Sequence, residues 1–203
     1  MSEVSPALVR ELRERTGAGM MDCKKALSEV QGDLERALVY LREKGLAAAA
    51  KRSGRTAADG LVSSYIHAGG KIGVLIEVNC ETDFVARTDD FQTLVKELAM
   101  QVAAASPRYV RREDVPAAVL AQERSIYAAQ AAGSGKPAAV IEKMVHGKVE
   151  KFFADACLLE QPYIKDPDKA VHQLLSDAVA KMGENIVVRR FVRFQLGEQS
   201  SAS

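Results

Sequence analysis

The feature that most constrains this chain is a change of hydrophobic period near residue 53. Before it, apolar residues recur with the spacing of an amphipathic helix; after it, they alternate as in a half-buried strand. Ser5-Pro6 reads as a cap followed by a first helical residue. Leu8, Val9 and Leu12 then share a face until Thr16-Gly17 stops the run. Cys23, Ala26, Leu27 and Val30 repeat the i, i+3, i+4, i+7 spacing, ended by Gly32. Asp33 caps a third helix carrying Leu34, Ala37, Leu38 and Leu41, and Gly45 is expected to end it. A basic, Ala-rich helical connector, Leu46 to Arg52, leads to a boundary at Ser53-Gly54-Arg55. Helices this short can bury one mutual core, and that core alone is marginal.

Beyond the boundary, Leu61–His67 and Lys71–Val78 read as strands of a hairpin turning at Ala68-Gly69-Gly70. Phe91, Leu94, Val95, Leu98 and Val102 mark one face of a helix that runs to Ser106-Pro107. The stretch from Arg112 to Lys151 is mostly helical, broken at Pro116 and by the loop Gly133–Pro137. Asp166-Pro167 predicts another capped helix start, with Val171, Leu174, Leu175, Ala178, Val179 and Met182 as its buried stripe before Gly183. Ile186–Leu196 has the β-branched and aromatic content of a strand. The expected fold is α+β: a three-helix module at 1–52, then a core at 53–197. That core would hold a small antiparallel sheet of about three strands packed with helices, and 198–203 would be a flexible tail.

Charge and composition remove whole classes of function. With 28 Lys+Arg against 27 Asp+Glu, the chain lacks the basic excess that nucleic-acid coating requires. No apolar run approaches membrane-spanning length, and Met1–Pro6 shows no basic n-region or apolar h-region, so the expected location is the cytoplasm. Cys23, Cys80 and Cys157 are too far apart for a disulfide framework or a C-x-x-C metal site. There is no phosphate loop and no dinucleotide fingerprint. Thr16-Gly17-Ala18-Gly19 could hold an anion at a helix start, but so short a segment favours a plain helix–helix turn. His67, His146 and His172 are scattered, Asp89-Asp90 suits a helix N-terminus, and Arg111-Arg112 and Arg189-Arg190 read as solvated faces. No constellation for substrate chemistry emerges, so no catalytic residue, cofactor or metal is expected.

Two segments resist this bland reading. After the strand ending at Cys80, Glu81-Thr82-Asp83-Phe84-Val85-Ala86-Arg87 puts turn and cap residues beside a large apolar pair. Phe84 either packs beneath the following helix as a staple or projects as an apolar finger beside a carboxylate. In Leu12–Leu27, Met20 and Met21 fall at a turn where so small a bundle can hardly bury both. Methionine suits an adaptable contact, with core filling by one of them the alternative.

Leu12–Leu27 and Glu77–Arg87 together closely resemble the two signature stretches of the elongation factor Ts family, exchange factors for elongation factor Tu. The likeness continues more loosely through the hairpin, the Phe91 helix, Gln161-Pro162-Tyr163 and Arg190–Phe194. It implies that the three-helix module is ubiquitin-associated-like, and that Arg13, Met20, Met21 and Lys24 contact the partner's nucleotide-binding domain. It further implies that Thr82, Asp83, Phe84 and Val85 intrude near the partner's Mg²⁺ site, with Phe84 as a wedge and Asp83 disturbing the ion's ligands. The implied partner is elongation factor Tu, GDP-bound or nucleotide-free, with no direct nucleic acid and no membrane. The chain looks like a short form, for which the resemblance implies a homodimer supplying missing sheet packing; a 1:1 complex is the alternative. Cys157 would then either reinforce a dimer or be a buried apolar residue. The rival reading is a non-catalytic binding module for a ubiquitin-like or ribosomal partner, without effect on GDP release.

Overall fold

The computed structural model describes residues 4–133 and 136–198. Met1–Glu3, Ser134 and Gly135 of the expected loop, and 199–203 of the expected tail lie outside the described residues. The chain divides into two compact units. One comprises Met1–Leu61, Val78–Leu94 and Gln173–Val187; the other comprises Val62–Glu77, Val95–His172 and Val188–Ser203.

The first unit opens with α1 (Pro6–Thr16), α2 (Met20–Glu29) and α3 (Leu34–Arg52). The Ser5 hydroxyl accepts from the Ala7 N–H and the Asp33 carboxylate from the Arg36 N–H, as the cap residues require. Gly17 closes α1 at φ +67°, a left-handed cap that L side chains rarely adopt. Val9, Leu12, Cys23, Ala26, Leu27, Val30 and Ala37 form the core of these helices, on the spacing the sequence predicts.

Gly45 departs from expectation: α3 continues through it to Arg52, so the predicted connector belongs to the helix. Gly45 is buried, and a β-carbon placed on it would lie 3.4 Å from the β-carbon of Ala180. Gly45 thus lies inside α3 facing α8 (Val171–Met182) and does not serve as a stop.

The sheet strands are β1 (Asp59–Ile66), β2 (Ile72–Cys80) and, late in the chain, β5 (Val187–Gln195), ordered β1-β2-β5 in an antiparallel sheet. Gly69 and Gly70, both at positive φ, make the hairpin turn. Along β2, Val74, Ile76, Val78 and Cys80 are buried while Leu75 is exposed, the period-two pattern of a one-sided sheet. After β2 come the short helix α4 (Asp83–Ala86) and α5 (Asp89–Ala105), whose predicted stripe from Phe91 to Val102 is buried. The α+β class and the small sheet therefore hold.

In the second unit, α6 (Ala117–Ala132) and α7 (Ala138–Ala156) form a helical hairpin over Val115, Val149, Phe152, Phe153 and Cys157. Gln101 and Gln161 are both buried and satisfied by each other and by backbone: Gln101 Nε2 donates to Gln161 Oε1 at 3.2 Å and to the Pro162 carbonyl at 3.1 Å. Two expectations are corrected here. Asp166–Ala170 is not a helix start but a strand, β4, antiparallel to β3 (Pro162–Tyr163); α8 begins at Val171, whose N–H goes to the Gln161 carbonyl. Pro167 lacks an N–H, which suits a short two-stranded ribbon as well as a first helical turn, so sequence could not separate them. Arg112 is no solvated residue either. Its guanidinium pairs with Glu150 at 2.8 Å and Glu160 at 2.9 Å and lies 4.7 Å from the Phe153 ring centre.

Candidate functional site

Both informative segments fall in the first unit. In the helical module, Leu12 and Cys23 are buried in the core while Arg13, Met20, Met21 and Lys24 face solvent. Met20 is 60% and Met21 75% exposed, so neither fills the core. They open α2 behind Gly19, which supplies no side-chain cap, and the turn before them rests at Gly17 against the aliphatic stem of Lys181, at 3.8 Å from a β-carbon built there. Lys181 also donates to Asp90 at 2.7 Å.

The second segment is a strand-to-helix turn. Thr82 is extended, at φ −134° and ψ 153°, and its hydroxyl accepts from the Val85 N–H at 3.4 Å as the N-cap of α4. Successive helical residues are rotated by about 100°, so Phe84 and Val85 cannot point the same way. Val85 and Ala86 go inward and are buried; Phe84 goes outward and is 77% exposed. The staple alternative for Phe84 is thereby excluded in the free protein. Asp83 sits beside it, paired with Arg87 at 2.7 Å with both side chains largely exposed. Among the described residues, no hydrogen bond or ion pair joins Arg13, Met20, Met21 or Lys24 to Thr82–Val85.

Residues that sequence reasoning passed over hold this turn. The Glu184 carboxylate accepts from the Glu81 N–H at 3.0 Å, the Thr82 N–H at 3.1 Å and the Thr82 hydroxyl at 2.6 Å. In return the Glu81 carboxylate accepts from the Asn185 N–H at 2.6 Å, and Asn185 Nδ2 donates to the Arg55 carbonyl at 2.7 Å. Beneath the turn, the Cys80 thiol donates to the Thr82 carbonyl at 3.1 Å. Burial, with Glu184 nearby, pushes that thiol up to about 11, so it stays protonated and fixed as a donor at neutral pH. Glu184 follows Gly183 with nothing local to single it out.

The site is thus an apolar ring and a carboxylate on a tightly held turn, with a methionine pair elsewhere in the same unit. Among the described residues no cluster of His, Cys, Asp or Glu is arranged to hold a metal ion, and no helix is long and apolar enough to cross a membrane. A family model described as Elongation factor TS matches residues 20–198. The chain belongs to the elongation factor Ts family. The elongation factor Ts of Moorella thermoacetica is 63% identical over 195 residues, covering 96% of this chain and 96% of the relative. That of Anaeromyxobacter dehalogenans is 65% identical over 198 residues, covering 98% and 90%. That of Heliobacterium modesticaldum is 63% identical over 195 residues, covering 96% and 91%. Membership of the elongation factor Ts family makes the chain a translation elongation factor. The matched span includes Met20, Met21, Lys24 and Thr82–Val85, and Arg13 precedes it.

Proposed function

We propose that this chain is a cytoplasmic guanine-nucleotide exchange factor that binds elongation factor Tu·GDP and drives GDP out by displacing Mg²⁺ and disturbing the phosphate site. The observation that carries this reading is Phe84, an aromatic ring 77% exposed on a turn whose start is held by the Glu184 carboxylate. Burying a phenylalanine in a partner's pocket contributes about 2 kcal/mol. Residues 1–52 act as a ubiquitin-associated-like module that docks through Arg13, Met20, Met21 and Lys24, and 53–197 form the core that carries Thr82, Asp83, Phe84 and Val85.

The physics of exchange fits a chain whose sequence carries no phosphate loop and no dinucleotide fingerprint. Bound GDP is held by phosphate contacts and a Mg²⁺ that offsets their charge. A wedge that moves the partner's ion ligands removes these favourable terms together, and Asp83 adds a competing negative charge at the same place. By linkage, nucleotide weakens the binding of this chain as much as the chain weakens nucleotide, so incoming GTP expels it. The near balance of 28 cationic against 27 acidic residues suits a protein partner better than nucleic acid.

A homodimer is part of the same proposal. Val62 and Ile66 on β1, Leu75 on β2 and Val192 and Phe194 on β5 are exposed together, on the face opposite the buried Val74 and Ile76. A one-sided antiparallel sheet normally turns polar residues to water. An apolar outer face calls for a cover, and a second copy of the same face supplies it.

The test is release of fluorescent GDP from elongation factor Tu. The parent protein accelerates release, and Phe84→Ala lowers kcat/KM about thirtyfold, the equivalent of the ring's burial. Release unchanged by the parent rejects the exchange reading; a Phe84→Ala variant as active as the parent rejects the wedge.

A further inference from the structure

We propose that Glu184 is a positioning residue for Phe84: its carboxylate sets the Thr82 turn before any partner arrives, so that the ring is presented ready-made. This rests on the exchange reading above. α4 has 4 residues, too few for a helix to hold its own direction. Val85 and Ala86 anchor its inner side, but the start of the turn depends on groups outside the segment. Glu184 accepts from both backbone N–H groups of Glu81 and Thr82 and from the Thr82 hydroxyl. Hydrogen bonds to an ionised acceptor are the stronger kind. Because Glu184 leaves α8 immediately after Gly183, at φ +78°, its own position is tied to a twelve-residue helix. The Glu81–Asn185 bond runs in the opposite direction and closes the lock, so each side supplies an acid to the other's backbone.

Without Glu184 the turn samples other directions, and each encounter with a partner has to order it first. Preorganisation of this sort changes binding and exchange while leaving the contact surface untouched. Three variants separate positioning from mere support. Glu184→Ala removes all three bonds. Glu184→Gln keeps an oxygen for the two N–H groups and an amide that donates to the Thr82 hydroxyl, so it serves as the rescue. Glu184→Ala combined with Phe84→Ala asks whether the two residues act through one another.

The expected result is a loss of about tenfold in kcat/KM for GDP release in Glu184→Ala, most of it regained in Glu184→Gln. In the Phe84→Ala background, Glu184→Ala adds little further loss. Amide hydrogen exchange of the free protein at Glu81 and Thr82 speeds up in Glu184→Ala, while the melting curve stays cooperative. Parent-like exchange activity in Glu184→Ala overturns the proposal, as does a full, additive loss in the Phe84→Ala background. If the parent itself fails to release GDP, the exchange reading falls and this one with it, an outcome distinct from a parent that works and a Glu184→Ala variant that works equally well.

Discussion

Phe84 and Val85 are neighbours with opposite environments, and a single helical turn is the reason. One ring faces water because its neighbour anchors the turn inward. Arg112 offers the complementary lesson in unit two, where a residue that composition assigns to solvent becomes the centre of an ion-pair cluster with Glu150 and Glu160. The Arg112 hydrogen bond holds the Glu160 carboxyl below the usual carboxylate range. A depressed value means the folded state favours the charged form. The contribution is therefore complete above the ordinary glutamate value and is lost as pH falls through the depressed one. Glu160→Gln should flatten that dependence: the parent's urea midpoint falls more steeply than the variant's as pH is lowered through and below the ordinary glutamate range. Equal slopes would remove Glu160 as a source of acid sensitivity. Phe84, Met20 and Met21 were legible in the sequence because apolar residues at a turn break a local rule. Glu184 and Arg112 were not, since each draws its role from partners remote in sequence.

At the scale of elements, periodicity carried most of the fold: the caps at Ser5 and Asp33, the hairpin at Gly69-Gly70 and the α5 stripe all sit where spacing puts them. It failed at Gly45 and at Asp166-Pro167, where one residue type serves two geometries. Glycine ends a helix by adopting positive φ, but inside a helix it can equally face a neighbour, as Gly45 faces Ala180. This distinction has a measurable sign. A methyl at 3.4 Å from the Ala180 β-carbon is in ordinary van der Waals contact, and alanine is the better helix former. Gly45→Ala should raise stability by about 0.5 kcal/mol, whereas Gly45→Leu should lower it by about 1–3 kcal/mol by forcing α3 and α8 apart. Thermal or urea unfolding of the two variants reads both; a destabilised Gly45→Ala would mean that the helices have no slack at this crossing.

For the molecule as a whole, the exposed apolar face of the sheet is what the proposed homodimer rests on. Phe194 is 68% exposed beside Val192, with Leu75 on the adjacent strand. Sedimentation of the parent should give twice the monomer mass, and Phe194→Asp with Leu75→Asp should reduce it to one copy by placing unpaired charge in the interface. A parent that sediments as a single copy at micromolar concentration would reject the homodimer. The reciprocal bonds between Glu81 and the residues after α8 reach further still. Glu184 follows Glu81 by 103 residues. A ribosome adds about 5–20 residues per second, so roughly 5–20 s separate the synthesis of the two partners. Closing so long a loop also carries an entropy cost that only the finished contacts offset. If Glu184 sets the finger as proposed, the nascent chain carries an unset one until residue 184 has been added, long after Phe84 itself was made.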